Sequence, residues 1–403
     1  MQPFIVNIDR SVLSDLDNRI LATRWTDSIC GSGWQFGVSL PYMKELAAYW
    51  ANKFDWRTTE AAINAHPNFI TEIDGYRIHY LHIKGKGDAA VPLLISHGWP
   101  GSFLEMLKII PLLTDDPKDG SLTFDLVIPS LLGFGFSEKP DHEGINATLM
   151  AGIWVKLMSR LGYEKFIAQG GDFGAMISTR IALNDPGRLI GLHLNYIPFN
   201  YKPWLPPGEK LTEEEGSAQQ KTYRFFQAEG AYAQIQGTKP LTLSYGLTDS
   251  PVGLAAWILQ IFHSFSRPGV SVEQLFGRDE LLAHITLYWI TGTIHSSMRL
   301  YHEMVSDPLE FGKDDFIKVP TGIAHYPYPD SFPARRYVER GYNVQYWNDL
   351  PEGGHFAAME QPQLFAADLK EFVAYLYKKI DNDSILRHGP PRVQLRPGHD
   401  RQR

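Results

Sequence analysis

Gln169-Gly170-Gly171-Asp172-Phe173-Gly174 joins an apolar run, KFIAQGG (165–171), to a stretch with helical spacing, AMISTRIALND (175–185). Strand, tight turn, helix is the context that a Gly-x-nucleophile-x-Gly turn requires. Small residues at 170, 171 and 174 let the backbone reverse sharply and pack closely. Such a turn holds the side chain of Asp172 out at the C-terminal edge of a sheet. An aspartate there suits displacement at an alkyl carbon, such as an epoxide or a carbon–halogen bond, because it forms an alkyl ester on the enzyme. It is a poor choice for direct attack on an ester carbonyl. Taken alone, the hexamer also fits a glycine-rich turn with Asp as a helix N-cap.

Working outward, strands and helices alternate around this turn. PLLIS (92–96) and DLVIPSL (125–131) read as buried strands, with FLEMLKIIPLL (103–113) as a helix between them. MAGIWVKLMSRLG (150–162) is a further helix, and LIGLHLNY (189–196) a strand. YRIHYLHIK (76–84) follows the Asp74-Gly75 turn and alternates like an edge strand. This rhythm predicts βαβ units and a mostly parallel sheet.

The rhythm breaks after KPWLPPGEKL (202–211), where the sequence becomes helical and aromatic. Strands return at IKVPTGIAHY (317–326) and YNVQYWND (342–349), followed by the amphipathic helix QPQLFAADLKEFVAYLYKKI (361–380). At the other end, SVLSDLDNRILATRW (11–25), LPYMKELAAYWANKF (40–54) and TTEAAINAHP (58–67) are amphipathic helices that need a larger body to pack on. The expected organisation is a helical extension over 1–75, an α/β core over 76–200 and 305–385, and a helical insertion over 201–304. A flexible Pro- and Arg-rich tail is expected over 386–403.

Composition removes several function classes. The 403 residues carry a net charge of −7, which disfavours a non-specific binder of nucleic acid or anionic membrane. One cysteine, Cys30, excludes an intramolecular disulfide framework and a Cys-based zinc site. His79 and His82 lie three apart on a predicted strand and so face opposite sides, and neither a metal nor a cofactor is expected. GLAAWILQIF (253–262) is too short to span a bilayer, which takes ~20 apolar residues. With no basic-then-apolar leader at the N-terminus, a cytoplasmic protein without a membrane anchor is expected. A homo-oligomer stays open. Aromatic residues make up 13% of the chain, enough either to fill a core or to line an apolar pocket.

Two further segments give the turn a partner set. His97-Gly98-Trp99-Pro100-Gly101-Ser102 lies between the strand PLLIS and the next helix. An α/β-hydrolase builds its oxyanion hole from one amide in that loop and one just after the nucleophile, which makes Trp99 and Phe173 the candidate donors. Glu352-Gly353-Gly354-His355-Phe356 lies between the last strand and the last helix, where the same fold places its catalytic histidine.

HGWPGSFLEM, PSLLGFGFSEKP, QGGDFG, DSPVGLAAWI, YWITGTIHSSMRLYHE and GGHFAAMEQP together resemble the microsomal-type epoxide hydrolase family. GVSLPYMKELAAYW and DWRTTEAAIN resemble that family's N-terminal extension, so the likeness runs from about residue 3 to 380. The resemblance implies an α/β-hydrolase core with a mostly parallel sheet, a helical cap, and cofactor-free hydrolysis of epoxides to vicinal diols. It points to the soluble microbial members. It assigns Asp172 as nucleophile and His355 as the base that activates water. It also points to two cap tyrosines that donate to the oxirane oxygen, Tyr232 in GAYAQIQ and Tyr301 in MRLYHE. For the charge-relay acid it points to Asp330 in HYPYPDSF, although the family places that acid one residue earlier, where this chain has Pro329.

The expected partners are a small apolar epoxide and water. The rival readings are a haloalkane dehalogenase, which shares the aspartate but needs halide donors, and an enzyme that opens an epoxide with an internal hydroxyl. A non-catalytic binding protein of the same fold is a third. Phe225, Phe226, Trp257, Phe262 and Phe265 are candidate cap aromatics for the pocket.

Overall fold

Nine strands form one sheet in the computed structural model, which describes residues 1–86, 90–115 and 122–388. In chain order they are β1 (Gln2–Pro3), β2 (Asn68–Ile73), β3 (Tyr76–Ile83), β4 (Val91–Ser96) and β5 (Phe124–Pro129), then β6 (Phe166–Gly170), β7 (Leu189–Leu194), β8 (Ile317–His325) and β9 (Tyr342–Asp349). Across the sheet the order is β1-β2-β3-β5-β4-β6-β7-β8-β9. From β5 to β9 all neighbours are parallel, while β1, β2 and β3 add an antiparallel flank. The chain passes from β4 to β5 on one side and returns to β6 on the other. Ligands of such sheets bind at the C-terminal ends of the strands at this reversal. The loops after β4 and β6 carry Trp99 and Asp172.

Alternate residues of the central strands feed two cores, as a pleated strand buried on both faces requires. Leu94, Val127 and Ala168 join the cluster built with α5 (Ala147–Arg160) and α6 (Phe173–Asn184). Leu93, Ile95, Leu126 and Ile128 join the cluster built with α4 (Ile110–Thr114) and α16 (Pro362–His388). Each fully buried Leu or Ile contributes roughly 1.5–3 kcal/mol relative to exposure.

Four expectations change here. The segment expected as one helix over 103–113 is a short 3-10 turn, Phe103–Met106, and a separate α4, because Pro111 has no N–H to continue a helical ladder. The extension is not purely helical. Besides α1 (Arg10–Leu21), α2 (Leu40–Asn52) and α3 (Trp56–Asn64) it supplies β1 and β2. As a result β3 is flanked on both sides and is not an edge strand. Residues 386–388 continue α16, and the rest of the expected tail lies outside the described residues.

The insertion folds as α7 (Glu213–Glu229), α8 (Ala231–Thr238), α9 (Pro240–Asp249), α10 (Pro251–Ser264), α11 (Val272–Phe276), α12 (Arg278–Thr291) and α13 (Ile294–Ser306). Trp50 of α2 donates its indole N–H to Thr286 of α12 at 3.0 Å, tying the extension to this cap. The remaining short helices are α14 (Arg335–Glu339) and α15 (Ala357–Glu360).

The start of α7 is clamped to the core. Glu215 forms a capping box with Thr212 and accepts from Arg340 Nε at 2.6 Å and Nη2 at 3.2 Å. Arg340 holds the Glu215 carboxyl down to about 2, from the usual 4.5. A lowered folded-state pKa stabilises above the unfolded value and is lost as pH falls toward the folded one. Glu215→Ala is expected to cost about 3 kcal/mol in urea unfolding at pH 7, because it removes the capping box and leaves a largely buried guanidinium with Glu209 alone as its partner. The deficit relative to wild type should shrink as pH drops below about 4.5. A deficit that stays constant with pH would remove the ion pair from the explanation.

Candidate active site

β6 ends at Gly170 and α6 begins at Phe173, leaving Asp172 at φ 50° and ψ −125°. A non-glycine residue in such a sparsely populated region costs roughly 1–3 kcal/mol, so the surroundings must impose it. They do so by close approach. A Cβ on Gly170 would lie 2.2 Å from the Gly174 carbonyl oxygen, and one on Gly174 would lie 1.9 Å from that of Ser96. Only glycine closes this turn, and its closure pushes the Asp172 carboxyl into the space beyond the strand ends.

The carboxyl is held at both oxygens. Oδ1 accepts the Trp99 backbone N–H at 2.9 Å, and Oδ2 lies 3.3 Å from His355 Nε2. Gly98 permits the first contact, since a Cβ there would sit 2.2 Å from Oδ1. Phe173 opens α6, whose first-turn N–H groups have no acceptor within the helix.

His355 follows β9 through Gly353 at φ 109° and donates its backbone N–H to the Phe265 carbonyl at 3.1 Å. Tyr196 and Phe265 pack edge-on against its ring, at 5.1 and 5.2 Å between centroids. Glu360 of α15 folds its buried carboxyl against Gly354 and Phe356, which braces this loop. Burial pushes that carboxyl up to about 7.

Tyr232 on α8 and Tyr301 on α13 come down from the cap. Both are buried, with ring centroids 5.8 Å apart. Trp99 stacks on Tyr232 at 5.6 Å, and Phe173 meets Tyr301 edge-on at 4.8 Å. Burial, with a smaller contribution from the negative charge of Asp172, raises both phenols far above their ordinary ionisation. In the resting site they keep their protons near neutral pH and so present hydroxyl donors. Asp172, Tyr232 and Tyr301 line one cavity of about 10 Å³.

Tyr196, Pro198 and Phe199 also line this cavity, and they separate it from a larger one of about 540 Å³ beneath α7. The sequence reading missed Tyr196. Its place just beyond β7, at the same sheet edge as Asp172, was the available signal. Of the candidate cap aromatics, Phe265 reaches His355 and Tyr232, and Phe226 lines the larger cavity. Phe262 is a packing residue, stacked on Phe356 at 4.2 Å.

This geometry can be set beside known proteins. Residues 1–106 match the family described as epoxide hydrolase N terminus, and residues 91–233 match the alpha/beta hydrolase fold. Epoxide hydrolase 1 of Sus scrofa is 38% identical over 405 residues, covering 93% of this chain and 89% of that protein. The chain belongs to the epoxide hydrolase family. A crystal structure of the juvenile hormone epoxide hydrolase of the silkworm Bombyx mori superposes with a TM-score of 0.82 at 31% identity, covering 94% of each chain. The Aspergillus niger epoxide hydrolase gives 0.80 at 30% identity, covering 93% of this chain and 96% of that one. The fold expected from the elbow and its partners is thus the α/β-hydrolase fold, and the activity class is that of an epoxide hydrolase. Among the described residues, no helix is long and apolar enough to cross a membrane.

Asp330 is not brought to His355. Its side chain is 73% exposed and pairs with Lys221 of α7 at 2.8 Å. Pro329 occupies the preceding position, and the shift of one residue along the loop after β8 carries the carboxylate out to solvent. Asp349 is also engaged elsewhere, accepting from His325 Nδ1 at 2.6 Å and the Trp347 indole at 3.0 Å. The fold brings His355 to Asp172, but it does not bring up the acid expected behind them.

Proposed function

We propose that this protein opens an apolar epoxide to a vicinal diol through an ester on Asp172. One observation carries the reading: two protonated phenols and one carboxylate line a single cavity, and His355 Nε2 lies at 3.3 Å from the carboxylate on its other oxygen. An Asp172 oxygen attacks an oxirane carbon, and the carbon–oxygen bond of the ring breaks. Tyr232 and Tyr301 hydrogen-bond the departing oxygen, and one of them supplies the proton that makes it a hydroxyl, becoming a tyrosinate that its partner phenol stabilises by a hydrogen bond.

In the second half, His355 takes a proton from water as the water oxygen adds to the Asp172 ester carbonyl. The Trp99 and Phe173 amides hold the resulting oxyanion. Collapse of that intermediate releases the diol, which takes up the proton from His355, and the proton left on the Asp172 carboxyl returns to the tyrosinate, which restores both groups. Asp330 receives no step in this cycle, because its carboxylate is held by Lys221 at the surface.

Incubation with aryl and aliphatic epoxides should give vicinal diols, and haloalkanes should give no halide. Halide release without diol formation would favour the dehalogenase reading. Tyr232→Phe and Tyr301→Phe should each slow ester formation by about 10²-fold, in line with loss of one oxyanion donor. Stopped-flow tryptophan fluorescence can follow this step, since Trp99 stacks directly on Tyr232. Unchanged ester formation in the double variant would remove the phenols from the chemistry.

A further inference from the structure

A second cavity touches Asp172, and its lining shares only that residue with the lining of the tyrosine cavity. Its volume is about 20 Å³. A cavity needs roughly 10–15 Å³ and two to four polar partners to hold a water, so there is room for one. Asp172, His355, Asn195 and Glu105 are among its walls. Three of these belong to the sheet edge and its loops, but the presence of Glu105 has no place in the cycle above.

Glu105 lies on the 3-10 turn after Trp99 and is 8% exposed. Its Oε1 accepts the Ser102 backbone N–H at 3.0 Å in a capping box. A Cβ on Gly101 would fall 1.5 Å from that oxygen, so the glycine makes room for the carboxyl to fold back. Capping uses one oxygen. Among the described residues, no hydrogen bond engages the other. A cap alone would be served as well by glutamine.

We propose that Glu105 is a positioning residue for the hydrolytic water, which occupies this chamber and donates one O–H to His355 Nε2 and the other to Glu105 Oε2. With both protons directed away, a lone pair of the water faces the carbonyl carbon of the Asp172 ester. The epoxide enters on the tyrosine side of Asp172, and the water attacks from the other. Burial and then the negative charge of Asp172 push the Glu105 carboxyl up in the free enzyme; forming the neutral ester on Asp172 removes the second cause, which favours the ionised carboxylate whose Oε2 accepts from the water. This inference rests on the two-step reading above and assigns the second step its geometry.

Glu105→Gln keeps a cap acceptor but gives up the second acceptor oxygen. In single-turnover experiments it should form the ester within about 3-fold of the wild-type rate. Ester hydrolysis should slow by about 10²-fold, the usual cost of misplacing a reactant by about 1 Å, and intact-protein mass spectrometry should show the ester accumulating. Ala357→Val, which fills the same chamber from α15 without altering Glu105, should give the same split. Ser102→Ala should leave both rates within about 2-fold and serves as the control for capping. Equal slowing of both steps in Glu105→Gln and Ala357→Val, no slowing of either, or the same split in Ser102→Ala would overturn the assignment. Absence of any ester in every variant and in wild type would instead overturn the two-step reading itself.

Discussion

Asp172→Asn should abolish diol formation, lowering turnover by at least ~10⁴-fold, as expected when the member of a catalytic unit that makes the covalent bond is removed. The amide is nearly isosteric, so the elbow at φ 50° and the Trp99 contact at Oδ1 should persist and the protein should stay folded. What disappears is the nucleophile, because an amide oxygen is far too weak to open an oxirane. Mass spectrometry after incubation with epoxide should show no adduct. Slow recovery of activity is expected only in step with conversion of the amide back to the acid. Rapid diol formation by a variant verified to retain the amide throughout would mean that water attacks the epoxide directly.

The second large effect separates the two halves of the reaction. His355→Gln should still form the ester, because attack by Asp172 draws on the tyrosines for acid and not on the imidazole. Hydrolysis should slow by ~10²–10⁴-fold, the usual cost of losing a general base. The variant should therefore accumulate close to one adduct per chain, read as a mass increase equal to the epoxide and mapped to the peptide containing Asp172. No adduct with a reactive epoxide would place His355 in the first step or displace Asp172 as nucleophile. Asp330→Ala, by contrast, removes only a surface pair with Lys221, so the accumulation seen in His355→Gln should not be reproduced there.

The elbow was legible because its constraints are local. Glycines at 170 and 174 are required by contacts of their own turn and the adjacent strand, and the apolar runs around them have strand and helix spacing. His355 and Trp99 could be placed because each sits in a short loop directly after a strand. β2 was not legible, since NFITEI alternates only weakly and follows a helix ended by Pro67. Its partner β3 was therefore read as an edge.

Side-chain direction in the irregular loop after β8 depends on packing against α7, so the spacing around Asp330 could not show which way its carboxylate turns. Glu105 shows a different limit. The Ser-x-x-Glu capping box is visible in SFLE, but burial against Asp172 comes from tertiary contacts between the loops after β4, β6 and β9.

The central claim is that the oxygen entering the diol first belongs to Asp172, and one labelling measurement reads it directly. Enzyme in molar excess over epoxide, in water enriched in oxygen-18, should yield unlabelled diol in the first turnover. The label should appear instead in the carboxylate of the Asp172 peptide. Label in the first-turnover diol, with none in that peptide, would contradict the covalent mechanism.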